Sequence, residues 1–334
     1  MEDNEVKENV KNLKMSTRDD FNNSEETEKT NEIKANKKIK IEPNGSEMSV
    51  YDKYYKLLFF ISIIALAVSL IYIYSFYSLH GDILKKDITL SGGTSVQVQT
   101  ASDINDLKNA LAPKFSEVNV RQISDIITGE QIAIVVETSV PPEEIVPFLE
   151  EYFNFKLDET NSSIEFTGSS LSGSFYNQLK IALILSFVAM AIVVFIIFRT
   201  PIPSLAVIFA AFADITMTLA VVNFLGMSVS TAGIVAFIML IGYSVDTDIL
   251  LTIRVLKRHE GSINSRVFSS FKTGITMTLT SLVVNVIGML MMSSISNVFA
   301  QIFTILTIGL LFDILNTWIF NASLIKWYAE RRNK

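Results

Sequence analysis

The sequence contains no cysteine. Disulfide bridges, thiolate zinc sites and thiol catalysis are therefore excluded. Its two histidines, His80 and His259, are too few for an all-histidine metal site. Lysine and arginine number 28 against 34 aspartates and glutamates, a net charge of −6, so no basic excess is available to form a nucleic-acid face. No Walker loop, dinucleotide fingerprint, HExxH pair or nucleophile elbow occurs. The chain is read as a non-enzyme with no cofactor, no metal and no nucleic-acid partner. Any work it does must draw on an ion gradient or on a partner.

What the chain does have is a sharp segregation of charge. Residues 1–48 are almost entirely Lys, Glu, Asp, Asn, Ser and Thr, which predicts a disordered, solvated tail. They lack the short basic and apolar regions of a cleavable signal peptide. The run 57–79 is free of charge and flanked by Tyr51, Tyr54, Tyr55 and Tyr77, which suit the two interfacial aromatic belts. A helix needs about 20 mostly apolar residues to cross the hydrocarbon core. On that basis the first transmembrane helix is expected over 55–79. Five more follow at 179–198, 202–223, 229–251, 273–293 and 299–325. The break before the third span holds Arg199-Thr200-Pro201, with Pro203 in the next helix's first turn. The short loops after spans three and five carry no Lys or Arg. Arg199 follows span two, Arg254, Lys257, Arg258, Arg266 and Lys272 lie between spans four and five, and Lys326, Arg331, Arg332 and Lys334 follow span six. The positive-inside rule makes the basic side cytoplasmic, so both termini, including a C-terminal tail at 326–334, are expected inside and 80–175 outside.

That intervening segment has the chemistry of a folded domain. Alternation predicts strands at 94–100, 118–124, 131–137 and 163–167, with a turn at Thr128-Gly129. Ser102 is the expected cap of a helix ending near Ala112, and Pro141-Pro142-Glu143-Glu144 opens a second helix. The order βαββαβ is the ferredoxin-like pattern. The fold class expected is thus a six-span α-helical membrane protein with a small external α+β domain between helices 1 and 2. Asn161-Ser162-Ser163 is a glycosylation-type sequon.

Charges inside the spans are the sharpest signal. Asp214 lies mid-way along span three, Asp313 mid-way along span six, and Asp246 and Asp248 in span four. A carboxylate at the bilayer centre costs at least about 2.5 kcal/mol, so it normally faces the bundle interior with a partner or a proton. Two residues apart, Asp246 and Asp248 are separated by about 200° on a helix and cannot both point at one partner. Counting rise per residue puts Asp214 and Asp313 at one depth and Asp246 or Asp248 nearer the basic side, within reach of Lys272. Asp248 could instead be a boundary residue paired with Arg254. Asn285 and Asn316 add neutral hydrogen-bonding groups. Structural helix–helix hydrogen bonding is the plainer role for such aspartates. Gly242, Gly274, Gly288 and Gly309 suit close helix packing, and His259 reads as solvated.

Leu90-Ser91-Gly92-Gly93-Thr94, Gly242-Tyr243-Ser244-Val245-Asp246-Thr247-Asp248 and Lys272-Thr273-Gly274 through Thr280-Ser281 together resemble motifs of the SecD/SecF family. Within it the resemblance is to SecF, the smaller partner of SecD in the Sec protein-export system and a relative of the RND superfamily. The wording of the span-four motif is closer to SecD or to archaeal SecF than to bacterial SecF. The resemblance covers about 50–330. It implies a SecD-like subunit, the Sec translocon, a translocating polypeptide and membrane lipid as partners, and translocation across the cytoplasmic membrane driven by the proton motive force. It places the proton-linked acid at Asp246 or Asp248, with Asp246 preferred, and an aspartate at Asp214. Lys272 stands where many bacterial members have arginine. The alternatives are an RND-type small-molecule or lipid exporter, or a scaffold for membrane-protein assembly.

Overall fold

A computed structural model describes residues 47–115, 118–125, 128–258, 261–293 and 296–332. Nearly all of the predicted tail at 1–48 and His259 lie outside the described residues. The chain divides into two units, 1–53 and 54–334, and the packing described below is that of the second.

Helix α1 runs over Glu47–His80, and a four-residue turn of helix, α2, over Ile88–Ser91. Strand β1 (Gly93–Val98), helix α3 (Ile104–Leu111), strands β2 (Val118–Ser124) and β3 (Gln131–Thr138), helix α4 (Pro142–Phe153) and strand β4 (Ser162–Thr167) follow. Five long helical stretches complete the chain. These are α5 (Ser169–Phe198), α6 (Pro201–Phe224), α7 (Thr231–Lys257), α8 (Ile263–Met292), and a last one built from α9 (Asn297–Leu315), a π-helical turn (Asn316–Asn321) and α10 (Ala322–Arg332). Six of these stretches are long and apolar enough to cross a membrane. The protein is a multi-pass membrane protein. In α6 and α7, 61% and 56% of the apolar window is buried, against 11% for α1, α5 and α8, so α6 and α7 form the centre.

Two helices begin earlier than hydropathy alone suggests. The first turns of α5 (Ser169–Ser174) and α8 (Ile263–Lys272) are too polar to register as membrane segments, yet both are helical. Ser262 caps α8 by accepting the Ser265 N–H, so Arg266 and Lys272 ride on the helix and only a short loop separates it from α7. At the other end, α10 carries the helix through Arg332, so most of the expected tail is helical.

The sheet is antiparallel, in the order β2-β3-β1-β4. Its register pairs Val96 with Val136 and with Ile164. One face closes over Val96, Val98, Leu107, Leu111, Val120, Ile134, Val136, Ile145 and Leu149, which α3 and α4 cover. The α3 cap is Asp103, not Ser102: its carboxylate accepts the Asn105 and Asp106 N–H groups, while the Ser102 hydroxyl pairs with Thr100. A carboxylate also complements the helix dipole, which a serine does not.

The sheet is tied to the helices by the segment 81–92, which runs as a strap from α1 to β1. Val229 N–H donates to the Lys85 carbonyl (2.7 Å), and Asp87 N–H donates to the Val229 carbonyl (2.9 Å). Asn223 donates from its amide to the Ile83 carbonyl at 2.8 Å, and Thr231 N–H donates to the Thr89 hydroxyl at 3.1 Å. Tyr176 on α5 donates its hydroxyl to Asp82 at 2.6 Å. The strap thereby grips the α6–α7 turn, the connection between the two central helices. The Gly92-Gly93 pair ends it. Both residues have positive φ, +85° and +134°. A β-carbon on Gly92 would lie 2.5 Å from the Ser169 Cα, and one on Gly93 would overlap the Thr138 carbonyl oxygen. Glycine alone meets both demands.

Asp87 sits in this strap beneath the polar face of the sheet. Burial, then Glu137 and Glu165, push its carboxyl from 3.8 up to about 6, against the pull of Arg121 and of the Ile88 N–H it caps. Its folded value lies above its unfolded one, so stability is lost as pH rises from about 4 through 6. Asp87→Asn keeps the cap acceptor and cannot ionise. It should raise the thermal midpoint at pH 7, by the equivalent of about 3 kcal/mol at most before solvent screening, and the gain should vanish below about pH 4. Melting curves of the purified protein across that range check both the sign and the window.

Candidate functional site

Three of the four intramembrane aspartates meet in the middle of the bundle. Asp214 from α6, Asp248 from α7 and Asp313 from α9 are all fully buried. Asp214 accepts the Ser244 hydroxyl of α7 at 2.5 Å and the Asn316 amide at 2.7 Å. Asp248 accepts the Asn321 amide at 2.6 Å. The Thr317 hydroxyl lies between the other two acids, 2.8 Å from Asp248 Oδ1 and 3.1 Å from Asp313 Oδ1. Asn316 and Thr317 are chain neighbours, so one turn of the last span joins all three carboxylates.

That turn is the π-helical one. A π-helical turn is wider than an α-helical one and is found frequently at functional sites. Here it begins three residues after Asp313 and holds Asn316, Thr317 and Asn321 buried against α6 and α7. Thr317 and Asn321 were not among the residues singled out from sequence. Their spacing, Asp313, Thr317, Asn321, is an i, i+4, i+8 ladder of polar residues on one helix face, and it was legible.

The hydrogen count of this cluster is informative. Thr317 has one hydroxyl hydrogen and two carboxylate neighbours. It can donate to one of them only. The second contact closes if that acid carries a proton and donates to the Thr317 oxygen. Asp248 Oδ2 and Asp313 Oδ2 have no hydrogen-bond partner among the described residues, so each acid keeps an oxygen that can take up a proton. No Lys or Arg among the described residues forms an ion pair with any of the three. Nor do they form a group able to hold a metal ion. The chemistry this arrangement supports is retention and exchange of protons among acids of three helices.

The other expected site residues lie elsewhere. Asp246 is exposed on the outer face of α7, and Lys272 is exposed on α8. α7 turns Asp248 in and leaves Asp246, the acid preferred from the resemblance, on its outer face. The expected depth difference also disappears, because Asp248 shares Thr317 with Asp313. Arg254 does not pair with Asp248; it donates to the Ser269 carbonyl and the Thr273 hydroxyl of α8. Asn285 donates to the Ser281 carbonyl of its own helix. Within the span-four motif Ser244 faces in, whereas Gly242 and Tyr243 face out. Among the described residues Gly242 has open space around it, in contrast to Gly274, Gly288 and Gly309, which lie against Trp318, Phe303 and Leu240.

The description "Protein export membrane protein SecD/SecF, C-terminal" matches residues 149–331, more than half of the chain and all three buried acids. The chain belongs to the SecD/SecF family. It is 37% identical over 259 residues to "Protein-export membrane protein SecF" of Methanocaldococcus jannaschii, covering 75% of this chain and 90% of that one. The SecF of Pyrococcus furiosus is 32% identical over 307 residues, 90% of this chain and 97% of its own length. The fold is similar to the crystal structure of SecDF, a translocon-associated membrane protein, from Thermus thermophilus, at a TM-score of 0.69 and 16% identity. That match covers 88% of this chain but spans only 40% of the SecDF chain. The family is one of membrane components of protein export.

Proposed function

We propose that this protein is a SecF-like subunit of the Sec protein-export machinery that uses proton movement to promote polypeptide translocation. The observation that carries the reading is the meeting of Asp214, Asp248 and Asp313 around Thr317, with one hydroxyl hydrogen between two acids. A proton arriving at or leaving this site changes which hydrogen bonds α6, α7 and the last span can make. The strap grips the α6–α7 turn, so a shift of these helices is handed directly to the sheet domain.

The sheet order and the two covering helices suit a ferredoxin-like domain. In this reading 80–175 lies outside the cytoplasmic membrane, both termini lie inside, and the domain engages the emerging chain. The basic residues support that orientation: Arg199, Arg258, Arg331 and Arg332 fall at one set of helix ends, and the connections 225–230 and 293–296 at the other set carry none.

A SecD-like partner accounts for Asp246. Val235, Met239, Gly242, Tyr243 and Asp246 form an exposed stripe on α7 with helical spacing. A lipid-facing carboxylate in a span costs about 2.5–3.5 kcal/mol, a penalty that a polar partner surface relieves. The chain has no native cysteine, so Tyr243→Cys introduces a unique thiol. It should cross-link to a SecD-like subunit in membranes, and that subunit should co-purify. Recovery of a homo-oligomer alone, cross-linked through position 243, would favour the small-molecule or lipid exporter instead. Reconstituted complex with no gradient-dependent activity would favour an assembly scaffold.

A further inference from the structure

A second site lies where α1 meets the end of the last span, away from the aspartates. Two apolar clefts sit side by side there. One, of about 350 Å³, is lined by Tyr55, Phe59, Phe60, Ser323, Leu324 and Trp327. The other, of about 380 Å³, runs past Ile63, Ile202, Leu205, Phe209 and Phe320. Phe59 and Leu324 line both, so they form a ridge between two apolar channels. The stacking of Phe59 on Phe320, with ring centroids 5.1 Å apart, holds that ridge in place.

The polar end of the clefts is built differently. Tyr54 and Tyr55 on α1 and Trp327 and Tyr328 on α10 mark the level at which aromatic side chains sit in the interface. Lys326 is fully buried, with its Nζ 5.1 Å from the Tyr55 ring centroid and 3.9 Å from Glu330. Glu330 offsets that charge. Arg331 lies 4.4 Å over the ring of Trp327, which lines the first cleft, and Arg332 follows it in sequence; both are exposed. Among the described residues Arg331 has no carboxylate partner. The rim is thus positive where the walls are apolar.

We infer that this is a binding site for one anionic phospholipid, with an acyl chain on either side of the Phe59–Leu324 ridge and the phosphate at Arg331 and Arg332. Two channels divided by a ridge suit a two-chain lipid, and basic pockets between spans at the interface hold anionic head groups. The Arg331–Trp327 cation–π contact presets the guanidinium at the rim, so less side-chain freedom is lost on binding.

The sequence has only two tryptophans, Trp318 and Trp327, which makes the site directly readable. The full chain carrying Trp318→Phe is reconstituted into vesicles that contain either brominated phosphatidylglycerol or brominated phosphatidylcholine. Bromine quenches an indole only on contact. Trp327 should be quenched by both lipids, with an apparent preference for the anionic one of several-fold, on the order of fivefold for each arginine engaged. Arg331→Gln with Arg332→Gln should bring the two lipids near equality, and raised salt should act in the same direction. If Trp318→Phe does not fold, the difference in quenching between the unaltered chain and Trp327→Phe gives the same readout. Equal quenching by the two lipids, meaning ordinary boundary lipid only, would overturn the site. So would a preference unchanged in the double arginine variant. Absence of quenching at Trp327 would show that protein fills the clefts, and would overturn it as well.

Discussion

Replacing Asp248 with asparagine should reduce gradient-driven export of a secreted reporter to the level seen without the protein, while its abundance in the membrane stays unchanged. Asparagine has nearly the same volume and still offers an oxygen to Asn321 and Thr317, so the hydrogen bonds that seat the side chain survive. It cannot release a proton. Asp313→Asn should act the same way, because its amide can donate to Thr317 as a protonated acid would. Asp246→Asn makes the useful contrast. That residue is exposed on α7, so its loss should alter recovery of a partner subunit more than the proton step. Reporter export measured alongside membrane abundance separates these cases. Full export in both Asp248→Asn and Asp313→Asn would leave the aspartates as helix–helix contacts and nothing more.

A branched side chain at position 274 should be almost as damaging, through packing and not through chemistry. A β-carbon on Gly274 already overlaps the Trp318 ring and comes within 3.1 Å of Thr247 Cγ2. Overpacking of this kind typically costs about 1–3 kcal/mol, and more where neither neighbour can move. Trp318 is wedged edge-on against Phe271, with centroids 5.1 Å apart, and has little room to retreat. It also belongs to the π-helical turn, one residue after Thr317. Pushing it shifts the side chains that bridge the aspartates. Gly274→Val should therefore lower both the thermal midpoint in detergent and reporter export. Adding Trp318→Leu should restore part of each, since a smaller side chain vacates the space. A double variant no better than the sum of its parts would show that the two positions do not share that space.

Much of this architecture could be read from the chain directly, and the reasons differ by element. The apolar runs that become α1, α6 and α7 are long and carry few charges or none, and a bilayer accepts little else, so their existence follows from length and composition. Likewise, the alternation in 131–137 and the Pro-Pro-Glu-Glu helix start are local signals, and β3 and α4 form where they indicate. The polar first turns of α5 and α8 were missed because hydropathy detects apolar residues and not helices. At α3, two adjacent residues could each cap, and the carboxylate of Asp103 took the role.

The site divides the same way. Composition and spacing alone determined that this is a membrane protein with ionisable groups inside its spans, and that Asp246 and Asp248 must face opposite ways. They could not say which faces in, because helix rotation is set by packing against neighbours and not by the residues' own chemistry. Tertiary structure decided that Asp248 turns inward and Asp246 outward, that Lys272 stands apart, and that a π-helical turn brings Asn316, Thr317 and Asn321 to the acids. The physical reason is one of range. Hydropathy and helical period act within a few turns of one helix, whereas these contacts join positions 69 to 102 residues apart, whose meeting only the folded bundle fixes.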